Sequence, residues 1–285
     1  MRSTKSSFVF WIDVCMIIKI LAIGDIVGKI GRRALVALLP DIKKEYDVDL
    51  VIANAENIAH GKGFSYETLK EVSDVGVDVF TTGNHMNKKP EGVTVMDTKQ
   101  MTVIRPYNWA EPGVSVPGEG FVMTEVGGVR IAVVNVIGQA FFKEKYANPF
   151  HGFDRALAEI GDDIKVIIVD MHAEATSEKV AFGWYADGRA SCVFGTHTHV
   201  PTADARILLQ GTGYVSDLGM TGDYNGVIGV SREEAVAQFL TNLSSNYTLK
   251  EEGTAQMNAV VASIDTETGK CIAIERVDRV IEVHS

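Results

Sequence analysis

Short apolar runs recur along the chain, each followed by small or polar residues and then by a helical pattern. Ile18 to Ile23 leads into Gly24-Asp25 and an amphipathic stretch from Arg32 to Tyr46, and Leu50 to Ala53 leads into Asn54-Ala55-Glu56-Asn57 and a second helix near Ser65 to Val75. Val77 to Thr81 leads into Gly83-Asn84-His85. Val129 to Ile137, Val166 to Val169 and Cys192 to Phe194 repeat the strand signal, while Thr176 to Ala186 and Arg232 to Leu240 have helical spacing. A run such as Lys165-Val166-Ile167-Ile168-Val169 has no polar face, as expected of a strand covered on both sides. The pattern predicts a layered α/β protein. Met257 to Ile264 and Cys271 to Val283 predict an antiparallel pair that turns at Thr268-Gly269-Lys270 and closes a sheet edge. Arg105 to Gly120, with three prolines, predicts an irregular connection and not a linker between domains.

Composition narrows this picture little. The chain has 285 residues, 46% hydrophobic and 22% charged, which excludes disordered and fibrous classes and allows one large α/β domain. A formal net charge of −10 argues against a protein that tracks long nucleic acid by neutralising phosphates, but not against a small phosphate substrate held by metal ions. Cys15, Cys192 and Cys271 are too few and too widely spaced for a disulfide framework, which predicts a reducing, cytoplasmic setting. Arg2 and Lys5 before Phe8-Val9-Phe10-Trp11-Ile12 resemble the start of a signal peptide, but Asp13 and Lys19 interrupt the apolar run, which is too short to span a bilayer. Residues 1–15 are therefore expected to be an extension, and 16–285 the functional domain.

The chemistry lies in the polar residues after the strands. Asp25, Glu56-Asn57, Asn84-His85, His172 and His197-Thr198-His199 each follow an apolar run, and in an α/β sheet such positions converge on one ligand site. Together they offer carboxylate, amide and imidazole donors without a thiolate, a set suited to a pair of Mn, Fe or Zn ions rather than to Ca or Mg. Each has a bland alternative when taken alone. Asp25 reads first as a helix cap, Glu56 as a turn cap, Asn84 as a turn residue tolerant of left-handed backbone, and His172 as a satisfied core histidine. His197 and His199 are the strongest pair, because residues i and i+2 of an extended backbone face the same side. His60, His151 and His284 lack strand-end placement and receive no role. Gly24, Gly28 and Gly31 do not give the G-x-G-x-x-G spacing of a dinucleotide loop, which weakens an oxidoreductase reading. Lys29, Arg32 and Arg33 are candidates for holding substrate phosphate, with a solvated helix start as the equal alternative.

Taken in order, Gly24-Asp25, Gly83-Asn84-His85, His172 and Gly195-Thr196-His197-Thr198-His199 resemble the metal-binding blocks of the calcineurin-like metallophosphoesterases. Val27 stands where the usual Asp-x-His opening has its His, and Asn54-Ala55-Glu56-Asn57 replaces the usual second Gly-Asp block, as in the YmdB-type branch of cyclic-nucleotide phosphodiesterases. Met171 to Lys179, Gly195 to Asp204 and Asp217 to Gly222 extend the resemblance, which covers about Ile18 to Val283. Met86-Asn87-Lys88-Lys89 departs from the aromatic and Asp that follow the His in that branch.

The resemblance implies a four-layer α/β/β/α sandwich and a dinuclear metal site, with iron or manganese expected and zinc the alternative. Asp25 and His199 would bind one ion, Asn84, His172 and His197 the other, and Glu56 would bridge them with Asn57 close to the first. Such a site lowers the pKa of a bound water, so that hydroxide attacks phosphorus in line. His85 would stabilise developing charge or protonate the leaving oxygen. The expected activity is hydrolysis of small phosphodiesters, foremost 2′,3′-cyclic nucleotides, by a homo-oligomer with no membrane or long nucleic-acid partner. The rivals are a phosphomonoesterase or phosphoprotein phosphatase using the same ions, and a metal- and nucleotide-binding regulatory protein with little turnover.

Overall fold

The computed structural model describes residues 16–243 and 247–284; the expected extension at 1–15 lies outside them. Two mixed sheets face each other. In the first, the order is β2 (Asp25–Ile26), β11 (Met220–Asp223), β12 (Gly253–Asp265), β1 (Ile17–Ile23), β3 (Leu50–Asn54) and β4 (Val79–Thr81), and β13 (Cys271–Val283) also pairs with β12. In the second it is β5 (Phe121–Val126), β6 (Val129–Ile137), β7 (Val166–His172), β8 (Cys192–Thr196), β10 (Gly213–Val215) and β9 (Arg206–Ile207). The helices are α1 (Gly28–Tyr46), α2 (Tyr66–Ser73), α3 (Pro90–Asp97), α4 (Pro149–Ile160), α5 (Thr176–Ala186) and α6 (Arg232–Thr241).

The continuous apolar runs are explained by strands that bury both faces. In β1, Ile18, Ile20 and Ala22 point between the sheets, where they meet Ile131 and Val133 of β6 and Ile168 of β7. Leu21 and Ile23 point the other way, into a layer with Leu35 and Leu39 of α1 and Leu69 of α2. The second sheet does the same, sending Val134, Val169 and Val193 outward onto Phe153 of α4 and Phe182 of α5. The result is the expected α/β/β/α order of layers. Each inner strand contributes alternate residues to two cores, at a gain of about 25 cal/mol for each Å² of apolar surface buried.

Parallel pairing sets where the strands end. Ile20 is in register with Leu50 and Ile52 with Val79, while Ile131 pairs with Val166 and Ile168 with Cys192. The carboxyl ends of β1, β3 and β4 therefore lie together, as do those of β6, β7 and β8, and the two groups meet at one edge of the sandwich. The antiparallel tail forms as expected, with one adjustment: β12 runs inside the sheet, pairing with β1 and β11 as well as β13, so only β13 is an edge. The first helix begins four residues earlier than the pattern suggested. Gly31 permits this, since a Cβ there would lie 2.2 Å from the Thr221 carbonyl oxygen of β11, which α1 packs against closely. Arg105 to Gly120 contains no named strand or helix, and Cys192 and Cys271 are buried free thiols. Among the described residues no helix is long and apolar enough to cross a membrane.

Candidate metal centre

The five strand-end clusters converge where the two sheets meet, and all seven candidate metal residues stand there together with His85. They form two poles. At the first, His199 Nε2 lies 3.6 Å from Asp25 Oδ1 and 3.1 Å from Asn57 Nδ2. At the second, His172 Nε2 lies 3.1 Å from Asn84 Oδ1, and the His172 and His197 rings are 4.7 Å apart. Glu56 stands between. Its Oε1 is 3.4 Å from His172 Nε2 and 3.5 Å from Asn57 Nδ2, while its Oε2 accepts a 2.9 Å hydrogen bond from the His85 backbone N–H. Ligand atoms of Glu56, His172 and His197 all lie within 4.8 Å of one another.

Local backbone chemistry explains how each group arrives. Gly83 precedes Asn84 because the His172 ring packs on its Cα; a Cβ there would lie 2.1 Å from His172 Nε2. Asn54 Oδ1 accepts from the Glu56 N–H at 3.1 Å and so folds the loop that carries Glu56. Asp25 is not a helix cap: it lies in β2, and the cap position of α1 is Val27, without a side-chain bond. His197 and His199 do not reach the site by strand alternation either. Both have positive φ, 95° and 65°, which sends His197 to the second pole and His199 to the first. Left-handed backbone at two non-glycine sites a single residue apart is costly and is held only where the surroundings enforce it. Here two carboxylates hold the turn: Asp25 Oδ2 accepts from the His197 N–H at 3.0 Å, and Asp217 Oδ2 accepts from the Thr198 N–H at 3.3 Å and from its hydroxyl at 2.6 Å. The same oxygen takes a 2.6 Å ion pair from Lys179, with both side chains only 2% exposed.

A second buried carboxylate joins the sheets beneath the site. Asp170 of β7 accepts from Thr81 of β4, from Asn54 of β3 at 3.1 Å and from Thr196 of β8 at 2.7 Å. Because the Thr196 hydroxyl donates to Asp170, its oxygen accepts from His172 Nδ1 at 2.9 Å. In the neutral ring, the form that binds a metal, that bond places the proton on Nδ1 and leaves the Nε2 lone pair facing Asn84 and Glu56.

Electrostatics keep the carboxylates ionised. Burial alone would raise the pKa of Glu56, but the charge and hydrogen bond of His172 and the charge of His85 outweigh it and hold Glu56 well below the usual carboxylate range. Asp25 is lowered in the same way, with His199 overcoming burial. His199 rises to about 9, since its pairing with Asp25 exceeds the cost of burial. Burial and the neighbouring His172 charge push His197 down to about 3. Burial of Asp170 raises it to about 6 despite His172. The donor set fits divalent ions on a direct observation: Asp25 Oδ1 is buried and accepts no hydrogen bond, with the His199 imidazole standing off at 3.6 Å, a group that would be costly without a closer cation to face.

The poles open into a cavity of about 510 Å³, within the size range of small-ligand sites, whose floor includes Glu56, Asn57, His85, His197 and His199. Lys62 and Glu174, which sequence reasoning did not single out, line it too, and Glu174 Oε2 lies 3.1 Å from His197 Nε2. Phe142 lies beside the second pole, its ring 4.9 Å from that of His197. Only the short distance of Glu174 from His172 in sequence signalled it; Lys62 and Phe142 come from loops. The cations proposed from the first loop are engaged elsewhere. Arg32 is buried against Glu71 at 2.6 Å and the Ile58 carbonyl at 2.7 Å, Lys29 pairs with Glu251, and Arg33 donates to the Glu251 carbonyl.

Two sheets clasped between helices, with acid, amide and imidazole donors gathered from the ends of both, define the metallophosphoesterase class, whose members use divalent ions. NAD nucleotidase from Haemophilus influenzae shares the fold at a TM-score of 0.58 and 13% identity, over 94% of this chain and 56% of that one. A family model of YmdB-like proteins matches residues 21–277, and the chain belongs to that family. It is 42% identical over 259 residues to the 2′,3′-cyclic-nucleotide 2′-phosphodiesterase of Bacillus subtilis, covering 91% of this chain and 96% of that one. The crystal structure of a phosphatase from Mycoplasma pneumoniae superimposes with a TM-score of 0.87 at 34% identity, covering 95% of this chain and 96% of the other.

Proposed function

We propose that the protein is a dinuclear metal-dependent phosphodiesterase acting on small phosphodiesters, foremost 2′,3′-cyclic nucleotides. The observation that carries this reading is the position of Glu56, a buried carboxylate between an Asp25/His199 pole and an Asn84/His172/His197 pole. Asp25 and His199 would hold one ion, Asn84, His172 and His197 the other, and Glu56 would join them; the oxygen and nitrogen donors favour iron or manganese, with zinc the alternative. When bound, two such ions polarise the phosphoryl oxygens and supply an acidic water as nucleophile precursor. Asn57 orients His85: its Oδ1 lies 2.7 Å from His85 Nδ1, so that Nδ1 carries the bonded proton and Nε2 is the atom that delivers one. In hydrolysis water oxygen bonds to phosphorus, one ester P–O bond breaks, His85 gives its proton to the departing oxygen, and the proton released by the water restores His85. Burial lowers the pKa of His85 despite the charge of Glu56, which eases that release. Lys62 adds the fixed positive charge on the cavity wall that an anionic substrate meets.

The test compares bis-p-nitrophenyl phosphate with the monoester, with and without added Mn²⁺, for the wild type and Glu56→Gln. Diester turnover that needs metal and is abolished together with metal content in Glu56→Gln supports the reading. Metal-independent turnover, or preference for the monoester, overturns it.

A further inference from the structure

The cavity above the two poles also has an apolar lining, which includes a turn with an unexpected residue in it. Val227 and Val230 exchange two backbone hydrogen bonds, at 2.9 and 3.1 Å, around Ile228 and Gly229. Both central residues have positive φ, 46° for Ile228 and 95° for Gly229, the signs of a type I′ turn. Such turns favour Asn or Asp before Gly; a β-branched residue with φ above zero is a steric outlier. Turn geometry therefore does not explain Ile228. Its side chain is 50% exposed, so core packing does not explain it either, and it lines the metal cavity. The turn is tied to the reacting centre by its backbone, since the Ile228 carbonyl accepts from His199 Nδ1 at 2.8 Å. Phe239 and Tyr247, 78% and 43% exposed, line the same cavity, as does Leu249, whose side chain lies over Gly28 and Gly61.

We propose that Ile228, Phe239, Tyr247 and Leu249 form a subsite for the flat face of a nucleobase, so that the enzyme draws binding energy from the base while the two poles hold the phosphodiester. This rests on the phosphodiesterase reading and adds to it the residues that recognise the base. An aromatic base fits because one cavity joins a charged floor to an apolar wall, and stacking on aromatic and aliphatic side chains needs no hydrogen-bond partner. Strain at Ile228 is stored where it contributes to binding and not to folding.

The experiment uses the full chain loaded with Mn²⁺ and two substrates with the same cyclic diester, adenosine 2′,3′-cyclic phosphate and ribose 2′,3′-cyclic phosphate, which lacks the base. In Ile228→Asn and in Phe239→Ala, the ratio of kcat/KM for the first substrate over the second falls about tenfold. Melting temperature of Ile228→Asn stays level or rises, because Asn suits the turn better than Ile. Adenosine, with no phosphate, gives saturation-transfer NMR signals on the wild type that weaken in both variants. An unchanged ratio overturns the proposal, as does an equal loss on both substrates with a lowered melting temperature, which would make the turn merely structural. A ratio that holds while Phe239→Ala alters the oligomeric state by light scattering overturns it in favour of a contact between copies. If wild type turns over neither substrate, the phosphodiesterase reading fails, and the adenosine signals still decide whether the base subsite exists.

Discussion

Lys179→Met tests the strut behind the two imidazoles. Lys179 and Asp217 are each 2% exposed and their ion pair is 2.6 Å long, so removing the ammonium leaves a buried carboxylate without its counter-charge. Breaking a buried pair from one side costs about 3–5 kcal/mol. At roughly 2–4 °C per kcal/mol for large domains, the melting temperature falls by about 6–20 °C. Asp217 also accepts from Thr198 N–H, Thr198 Oγ1 and Gly219 N–H, so an uncompensated Asp217 disturbs the loop that turns His197 and His199 toward opposite poles. Metal content per chain therefore falls with stability. Lys179→Met/Asp217→Asn removes the unpaired charge but keeps an acceptor for Thr198 and Gly219, and recovers more than half of the lost stability. Urea unfolding with linear extrapolation measures the energies, and elemental analysis the metal. A loss under about 1 kcal/mol in the single variant, the size expected of a solvent-screened pair, refutes the reasoning.

Other substitutions probe the site from different directions. Gly83→Ala drives a methyl into the His172 ring and is expected to lower metal occupancy and activity together; wild-type occupancy by elemental analysis would show that the His172 packing was misread. His85→Ala keeps both poles and is expected to slow diester turnover by about 10²–10⁴-fold at unchanged metal content, so that loss of metal would make it a ligand. Mn²⁺ at about 100 times its dissociation constant adds about 2.7 kcal/mol to wild-type stability. Asp25→Asn, which neutralises the carboxylate whose buried Oδ1 accepts no hydrogen bond, gains measurably less in the same thermal titration.

Much of this arrangement was legible in the sequence for a simple reason: strands buried on both faces have an unmistakable apolar run, and a polar residue placed directly after one has few places to go. The predicted limits of β6 and α5 match the observed ones, Val129–Ile137 and Thr176–Ala186. Strands β7 and β8 run on to His172 and Thr196 because their last polar residues stay paired in the sheet, where Asp170 ties them to β3 and β4. What remained hidden depends on tertiary neighbours. Positive φ at His197 and His199 is held by Asp25 and by Asp217, about twenty residues further on. Arg32 is neither a free phosphate ligand nor a solvated helix residue, the two readings open from sequence, because its partner, Glu71, belongs to another helix. The wall containing Ile228 and Tyr247 has no periodic signal at all, since its residues share a cavity and not a secondary-structure face.

Each pole takes donors from both sheets: Asp25 from the first and His199 from the second, Asn84 from the first and His172 with His197 from the second. Neither sheet alone carries a complete pole, so the site cannot be inherited, excised or transplanted with one half of the sandwich. Any ion seated at either pole would act as a rivet across the seam, and the rate at which the layers part would then be limited by the rate at which that ion leaves.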